Sequence, residues 1–106
     1  LSMVVGHVMV ADVAVGGGER GLTLTSMYAL AGGRLPAVNY VALGHIHRPQ
    51  RLSKAPGMAW YSGSPLQLDF GETGWEPSVN LVTLTPGLPT QVRQIPLTAG
   101  KRLVVF

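Results

Sequence analysis

The sequence predicts a mostly β fold, and three observations carry that expectation. Short apolar runs rich in β-branched residues recur, as in "MVVGHVMVADVAV" (3–15), "NYVALG" (39–44) and "SVNLVTLT" (78–85). Turn formers punctuate them, with 14 glycines and 8 prolines in 106 residues. Charged residues make up only 12% of the chain, against roughly 25% in an ordinary soluble domain. So few charges imply strands that are largely covered. The length suits one small domain and is too short for two.

Taken in order, 3–15 reads as a buried strand in which a glycine marks a close approach. "GGGER" (16–20) is a loop. "LTLTSMYALAGG" (22–33) alternates at Leu22 and Leu24, and its "SMYALA" portion suits one short helix ended by glycine. "NYVALG" is short and apolar, as expected of an interior strand with both faces covered. "QRLSKA" and "MAWYSG" flank Pro56-Gly57 and read as a hairpin. Residues 78–85 form a further strand, "TPGLPT" a turn, and "QVRQIPL" (91–97) the antiparallel return. At most one or two short helices fit. So apolar a set of strands is expected to leave one sheet face in need of a cover.

Composition bounds the function without naming it. Eight Lys and Arg against five Asp and Glu give a net charge of +3. That suits a polyanion but does not specify one. The cations are scattered, and the densest group (Arg48, Arg51, Lys54) lies beside two histidines. The absence of cysteine excludes disulfides and thiolate metal sites, and fits a reducing, cytoplasmic setting. No apolar run approaches the roughly 18 residues of a membrane span, and no basic leader precedes the first run. Both ends of the sequence, Leu1 and "KRLVVF", run directly into apolar residues and read as cut edges of something larger.

The chemistry concentrates in "NYVALGHIHRPQ" (39–50). On a strand, residues i and i+2 share a side, so His45 and His47 converge if the strand continues through them. Gly44 leaves room for a close approach. His7 repeats the context, "VVGH" beside "ALGH". Neighbouring strands would bring three imidazoles to one edge, a donor set that suits first-row metals. Each histidine has an ordinary alternative as a surface or hydrogen-bonded residue. Asp12, Asp69, Glu72 and Glu76 lack ligand-like spacing. By spacing alone, a metal site and a structural role both stand.

"YVALGHIHRPQ" followed by "YSGSPLQLDFGE" resembles the C-terminal part of the catalytic domain of SbcD-type DNA nucleases, bacterial members of the calcineurin-like metallophosphoesterase superfamily. The resemblance implies an α/β (α+β) metallophosphoesterase fold, a β-sandwich flanked by helices, to which 1–106 contributes mostly strands. It implies a two-metal Mn2+ site in the full-length protein. His7 and His45 would bind one ion and His47 the other, with the ions about 3.5–4 Å apart. It implies DNA as substrate, cut in repair and recombination with an SbcC-type ABC ATPase, and it allows a homodimer. By position, Arg48 and Gln50 would meet a DNA phosphate at the rim.

"YSGSP" (61–65) also reads as a tight turn after a strand, with Asp69 and Glu72 holding a loop and Trp60 and Tyr61 in the core. The departures are as informative. The family's Asp-x-His, Gly-Asp and Gly-Asn-His-Asp motifs, which supply the remaining ligands and the general acid, do not occur here, nor does the capping domain. No catalytic acid is therefore assigned in 1–106, and the chain alone is expected to be inactive. Asn39 stands where Asp is common and Asn80 where Lys is frequent, neither at a ligand position. Two other readings remain open: another calcineurin-like phosphoesterase acting on a small diester or a phosphoprotein, or a non-catalytic β module with structural histidines.

Overall fold

The computed structural model describes residues 1–11, 29–67 and 75–98. Strands β1 (Met3–His7), β2 (Tyr40–Gly44), β3 (Gln50–Arg51) and β4 (Ala59–Tyr61) form one sheet in the order β1-β2-β4-β3. β1, β2 and β4 run parallel, and β3 pairs antiparallel to β4. β5 (Ser78–Thr83) and β6 (Gln91–Pro96) form a separate antiparallel hairpin. The regular helical structure among the described residues is a single 3₁₀ turn, Gly32–Arg34. The described chain is thus mostly β, as its composition predicts.

Partners in register share a face of the sheet, so the pairing separates two surfaces. Val4, Val41 and Ala59 form one row on the first face, and Gly6, Leu43 and Tyr61 the next. This is the core face. Val10, Leu35, Val41, Leu43, Ile46, Leu52, Ala59 and Tyr61 are buried together there. Each large side chain in that cluster is worth about 1.5–3 kcal/mol of apolar burial. The opposite face carries Met3 and Val5 beside Tyr40 and Ala42. There Met3 is 54% and Val5 73% exposed.

This corrects the reading of 3–15 as one buried strand. β1 ends at His7, and among the described residues it pairs on one side only, with β2. Met3 and Val5 point to the face opposite the core and are exposed there. Beyond β1, Val10 makes an isolated bridge to Leu30, and 12–15 lie outside the described residues. β2 is interior, paired on both sides, with Tyr40, Val41 and Leu43 buried and Ala42 and Gly44 half-buried. Of the short helix expected in "SMYALA", residues 26–28 lie outside the described residues. Residues 29–31 are not helical: Leu30 bridges Val10 and Ala31 is extended, so the 3₁₀ turn Gly32–Arg34 follows that segment and is no part of it. The hairpin around Pro56-Gly57 forms as expected, extended by Leu52 N–H donating to Ala59 O at 2.9 Å. The hairpin of 78–97 also forms, with Val82 opposite Val92 and Val79 opposite Ile95.

Asn39 and Tyr40 join the two sheets. Thr90 Oγ1 donates to Asn39 O at 2.7 Å, and Asn80 Nδ2 donates to the Tyr40 hydroxyl at 3.3 Å. Asn39 Oδ1 accepts from Ser2 N at 2.8 Å, tying β2 to the start of β1. Asn39 and Asn80 therefore hold elements together.

Candidate functional site

The sheet order explains how the histidine segment is held. β4 lies between β2 and β3, so 45–49 must cross the end of β4 to connect them. His45, Ile46, His47, Arg48 and Pro49 form that bridge. Ile46 is its anchor, 2% exposed in the core, with His45 and His47 half-buried on either side.

His7 and Gly44 are register partners at the C-terminal ends of adjacent parallel strands. The next residue, His45, therefore emerges beside His7. Their ring centroids are 5.3 Å apart and the rings meet edge to face at 78°. Gly44 makes this possible: a Cβ there would stand 3.1 Å from His7 Nδ1. The close approach expected at Gly44 is thus made by an imidazole.

His45 has φ 105°, the only non-glycine residue with positive φ among those described. A side chain in that region is strained and persists when its surroundings enforce it, commonly at functional sites. The strand has ended by then, so period-two alternation does not relate His45 to His47. A sharp backbone turn orients His45 instead.

The "SGS" segment supports the bridge from beneath. Gly63 has φ 84°, and a Cβ there would meet Pro49 Cγ at 2.7 Å and His47 O at 2.8 Å. Ser64 N–H donates to His47 O at 2.9 Å. Ser64 Oγ closes the following turn on Leu66 O at 2.6 Å. This is the tight turn expected after "WY". Asp69 and Glu72 lie outside the described residues, as does Asp12.

Tyr61 fixes the other approach to His7. Its hydroxyl accepts from Val10 N–H at 3.0 Å and donates to Val8 O at 2.5 Å, and the residue is 0% exposed. The chain just past His7 is therefore pinned to β4. Burial raises the Tyr61 pKa above the ordinary tyrosine value, partly opposed by the Val10 hydrogen bond. Sequence reading placed Tyr61 in the core but not in this role. The signal was a tyrosine at a position suited to phenylalanine, since a buried hydroxyl requires a partner.

Arg48 is exposed and Gln50 half-buried at the start of β3, with Gln50 Nε2 donating to Arg48 O at 3.2 Å. Glu76 lines a cavity of about 240 Å³ with Pro49, Trp75, Ser78 and Gln94. Two imidazoles on one first-row ion, with nitrogens about 2.1 Å from it, have ring centres roughly 5 Å apart. The spacing of His7 and His45 fits that arrangement. Among the described residues, no group of three or more His, Asp or Glu side chains is placed to hold a metal ion. Nor is any described helix long and apolar enough to cross a membrane.

No family profile matches the chain. The SbcD subunit of the nuclease SbcCD from Bacillus subtilis is 41% identical over 99 residues, covering 92% of this chain and 25% of the relative. The SbcD protein of Escherichia coli K12 is 31% identical over 101 residues, covering 95% and 25%. That from Rhodobacter capsulatus is 45% identical over 62 residues, covering 58% and 14%. The chain spans about a quarter of the length of the first two curated relatives.

Proposed function

Because the chain is SbcD-type in sequence over nearly its whole extent, we propose that it supplies one wall of a metal-dependent DNA nuclease, acting with an SbcC-type ATPase on phosphodiester bonds. The observation that carries this reading is the pairing of His7 with His45 at the ends of adjacent parallel strands. In it, His7 and His45 would hold one Mn2+ and His47 a second ion, and the pair when bound would supply activation of a water and stabilisation of charge on the attacking and leaving oxygens. The chain's own contribution is positional. Gly44 admits the His7 ring, Ile46 anchors the bridge, and Gly63 with Ser64 supports the His47 carbonyl. Arg48, at the exposed rim, attracts the DNA phosphate, and Gln50 orients the bend through the Arg48 carbonyl. The remaining ligands and the general acid come from sequence outside residues 1–106.

The test uses the full-length protein with its ATPase partner. Mn2+-dependent cleavage of linear and hairpin DNA, abolished by His7→Ala or His45→Ala together with loss of bound manganese, is the expected result. Hydrolysis of a small nucleotide diester but never of DNA would move the chain to another phosphoesterase class. Purification without any bound transition metal, and no uptake on titration, would leave a β module with structural histidines.

A further inference from the structure

The three histidines sit on two separate pieces of chain. His7 ends β1, while His45 and His47 lie on the bridge from β2 to β3. One buried residue, Tyr61, touches both pieces. It ends β4, where its backbone pairs with Leu43 on β2 and with Gln50 on β3. The bridge 45–49 therefore hangs between the two register partners of Tyr61. Just beyond Tyr61, Gly63 leaves no room for a Cβ beside Pro49 and the His47 carbonyl, and Ser64 N–H donates to that carbonyl at 2.9 Å.

The side chain of Tyr61 reaches the other piece. Its hydroxyl donates to Val8 O and accepts from Val10 N–H, on the chain that leaves His7. Met9 O and Ala11 N–H turn the other way and bond the backbone of Leu30. The exit of β1 is thus clamped by backbone on one side and by a single side-chain oxygen on the other. That oxygen is the part a substitution can remove.

His7 itself is exposed, so core packing does not hold its ring. It lies on the face of β1 opposite the core, whereas Tyr61 lies on the core face. Any influence of Tyr61 on His7 therefore passes through the backbone. One planar trans peptide joins the His7 Cα to that of Val8, so a shift of Val8 is handed on to His7. Ligating side chains serve only when held within about 0.5 Å of the productive arrangement. The 5.3 Å spacing of the His7 and His45 rings depends on that exit being held.

We infer that Tyr61 is a positioning residue for the histidine pair, setting His7 relative to His45 through its Val8 and Val10 bonds and so setting affinity for a divalent first-row ion. This rests on the metal part of the nuclease reading above and adds to it a residue that acts through the backbone alone. Removing the oxygen leaves the ring in the core but frees the exit of β1. Mn2+ should then bind about tenfold more weakly, the lower end of the range for outer partners of ligating histidines.

The experiment uses the full-length protein and follows free Mn2+ by electron paramagnetic resonance during titration, for wild type, Tyr61→Phe and Tyr40→Phe. Tyr40→Phe is the control. It too deletes the hydroxyl of a buried tyrosine, one bonded by Asn80 at the opposite end of β2 from His45. Thermal melts of the metal-free proteins set a titration temperature below every transition. Tyr61→Phe is expected to raise the Mn2+ Kd about tenfold, and Tyr40→Phe to leave it unchanged. The Mn2+ dependence of hydrolysis of a small aryl phosphodiester gives a second reading. Its midpoint should shift by the same factor with the plateau retained, whereas loss of folded protein lowers the plateau at an unmoved midpoint. para-Aminophenylalanine in place of Tyr61 keeps a donor for Val8 O but is a poor acceptor for Val10 N–H, and should bind with intermediate affinity. It carries the comparison if Tyr61→Phe does not fold, and wild-type affinity in it then overturns the role. An equal rise in Tyr40→Phe overturns it, as does a lowered plateau without a midpoint shift. Wild type that takes up no Mn2+ overturns the metal reading and this role together. Wild-type uptake with an unchanged Kd in Tyr61→Phe overturns this role alone.

Discussion

His7 Nδ1 stands 3.1 Å from where a side chain at Gly44 would begin. The imidazole of one strand therefore occupies space that its neighbour vacates by lacking a Cβ. Gly44→Ala separates the two roles of this glycine. Alanine in a strand loses less backbone entropy on folding, a gain of about 0.5–1 kcal/mol. The new methyl pushes the His7 ring by a few tenths of an ångström and partly offsets that gain. Stability of the full-length protein is expected to stay within about 1 kcal/mol of wild type, while manganese affinity falls about 10–100-fold, as for altered ligand positioning. Denaturant melts and metal titration check both, and unchanged metal affinity would contradict the crowding argument.

Gly63 is a harsher case. Its φ of 84° and the backbone oxygen of His47 2.8 Å from a built Cβ leave alanine no inexpensive escape. Gly63→Ala is expected to cost about 1–3 kcal/mol and to loosen the bridge by breaking the Ser64 N–His47 O bond. Amide exchange at Ser64 reports that bond directly. Faster exchange there with smaller change at Val41 is the expected pattern.

Tyr61→Phe leaves the Val10 N–H and Val8 carbonyl without their shared partner. Orphaning groups of this kind costs about 1–3 kcal/mol. The ring itself still fills the core, so the loss is one of hydrogen bonding and not packing. A melt within about 0.3 kcal/mol of wild type would show that Tyr61 does not pin the segment after His7.

Alkaline pH addresses the same hydroxyl and that of Tyr40. Burial raises both pKa values in the folded chain, with Asn80 opposing the shift at Tyr40. The unfolded chain then loses these protons first, near pH 10. Stability is complete below that pH and falls as pH rises through the folded values. Urea melts from pH 8 to 11 should show the decline beginning near pH 10, with Tyr61→Phe less steep than wild type.

Much of this architecture is legible in the sequence because its signals are local. Pro56-Gly57 between two short apolar runs predicts the β3–β4 hairpin, and "TPGLPT" predicts the β5–β6 return. The matching contexts "VVGH" and "ALGH" anticipate adjacent strands bringing His7 to His45. What stays hidden depends on non-local order. That β4 inserts between β2 and β3 cannot be read from spacing, yet it forces the histidines into a bridge over a strand end. Nor does an apolar run show which face of the sheet is covered, so β1 reads as buried although Val5 is exposed. The positive φ of His45 carries no usable sequence signal, since only a small share of histidines adopt it.

That strained backbone supports the last prediction. A non-glycine residue at φ 105° costs about 1–3 kcal/mol that its surroundings must supply. If His45 is retained there for its imidazole, His45→Gly should stabilise the fold by about 1 kcal/mol, even after the larger entropy loss of glycine. The same change removes one of the two facing imidazoles, so manganese binding and DNA cleavage by the full-length protein should be lost. His45→Ala provides the contrast, losing metal without relieving the backbone. Glycine more stable than alanine, with both metal-free, is the expected order. Equal stability of the two would mean that the backbone there stores no strain, and the functional argument from φ would fail.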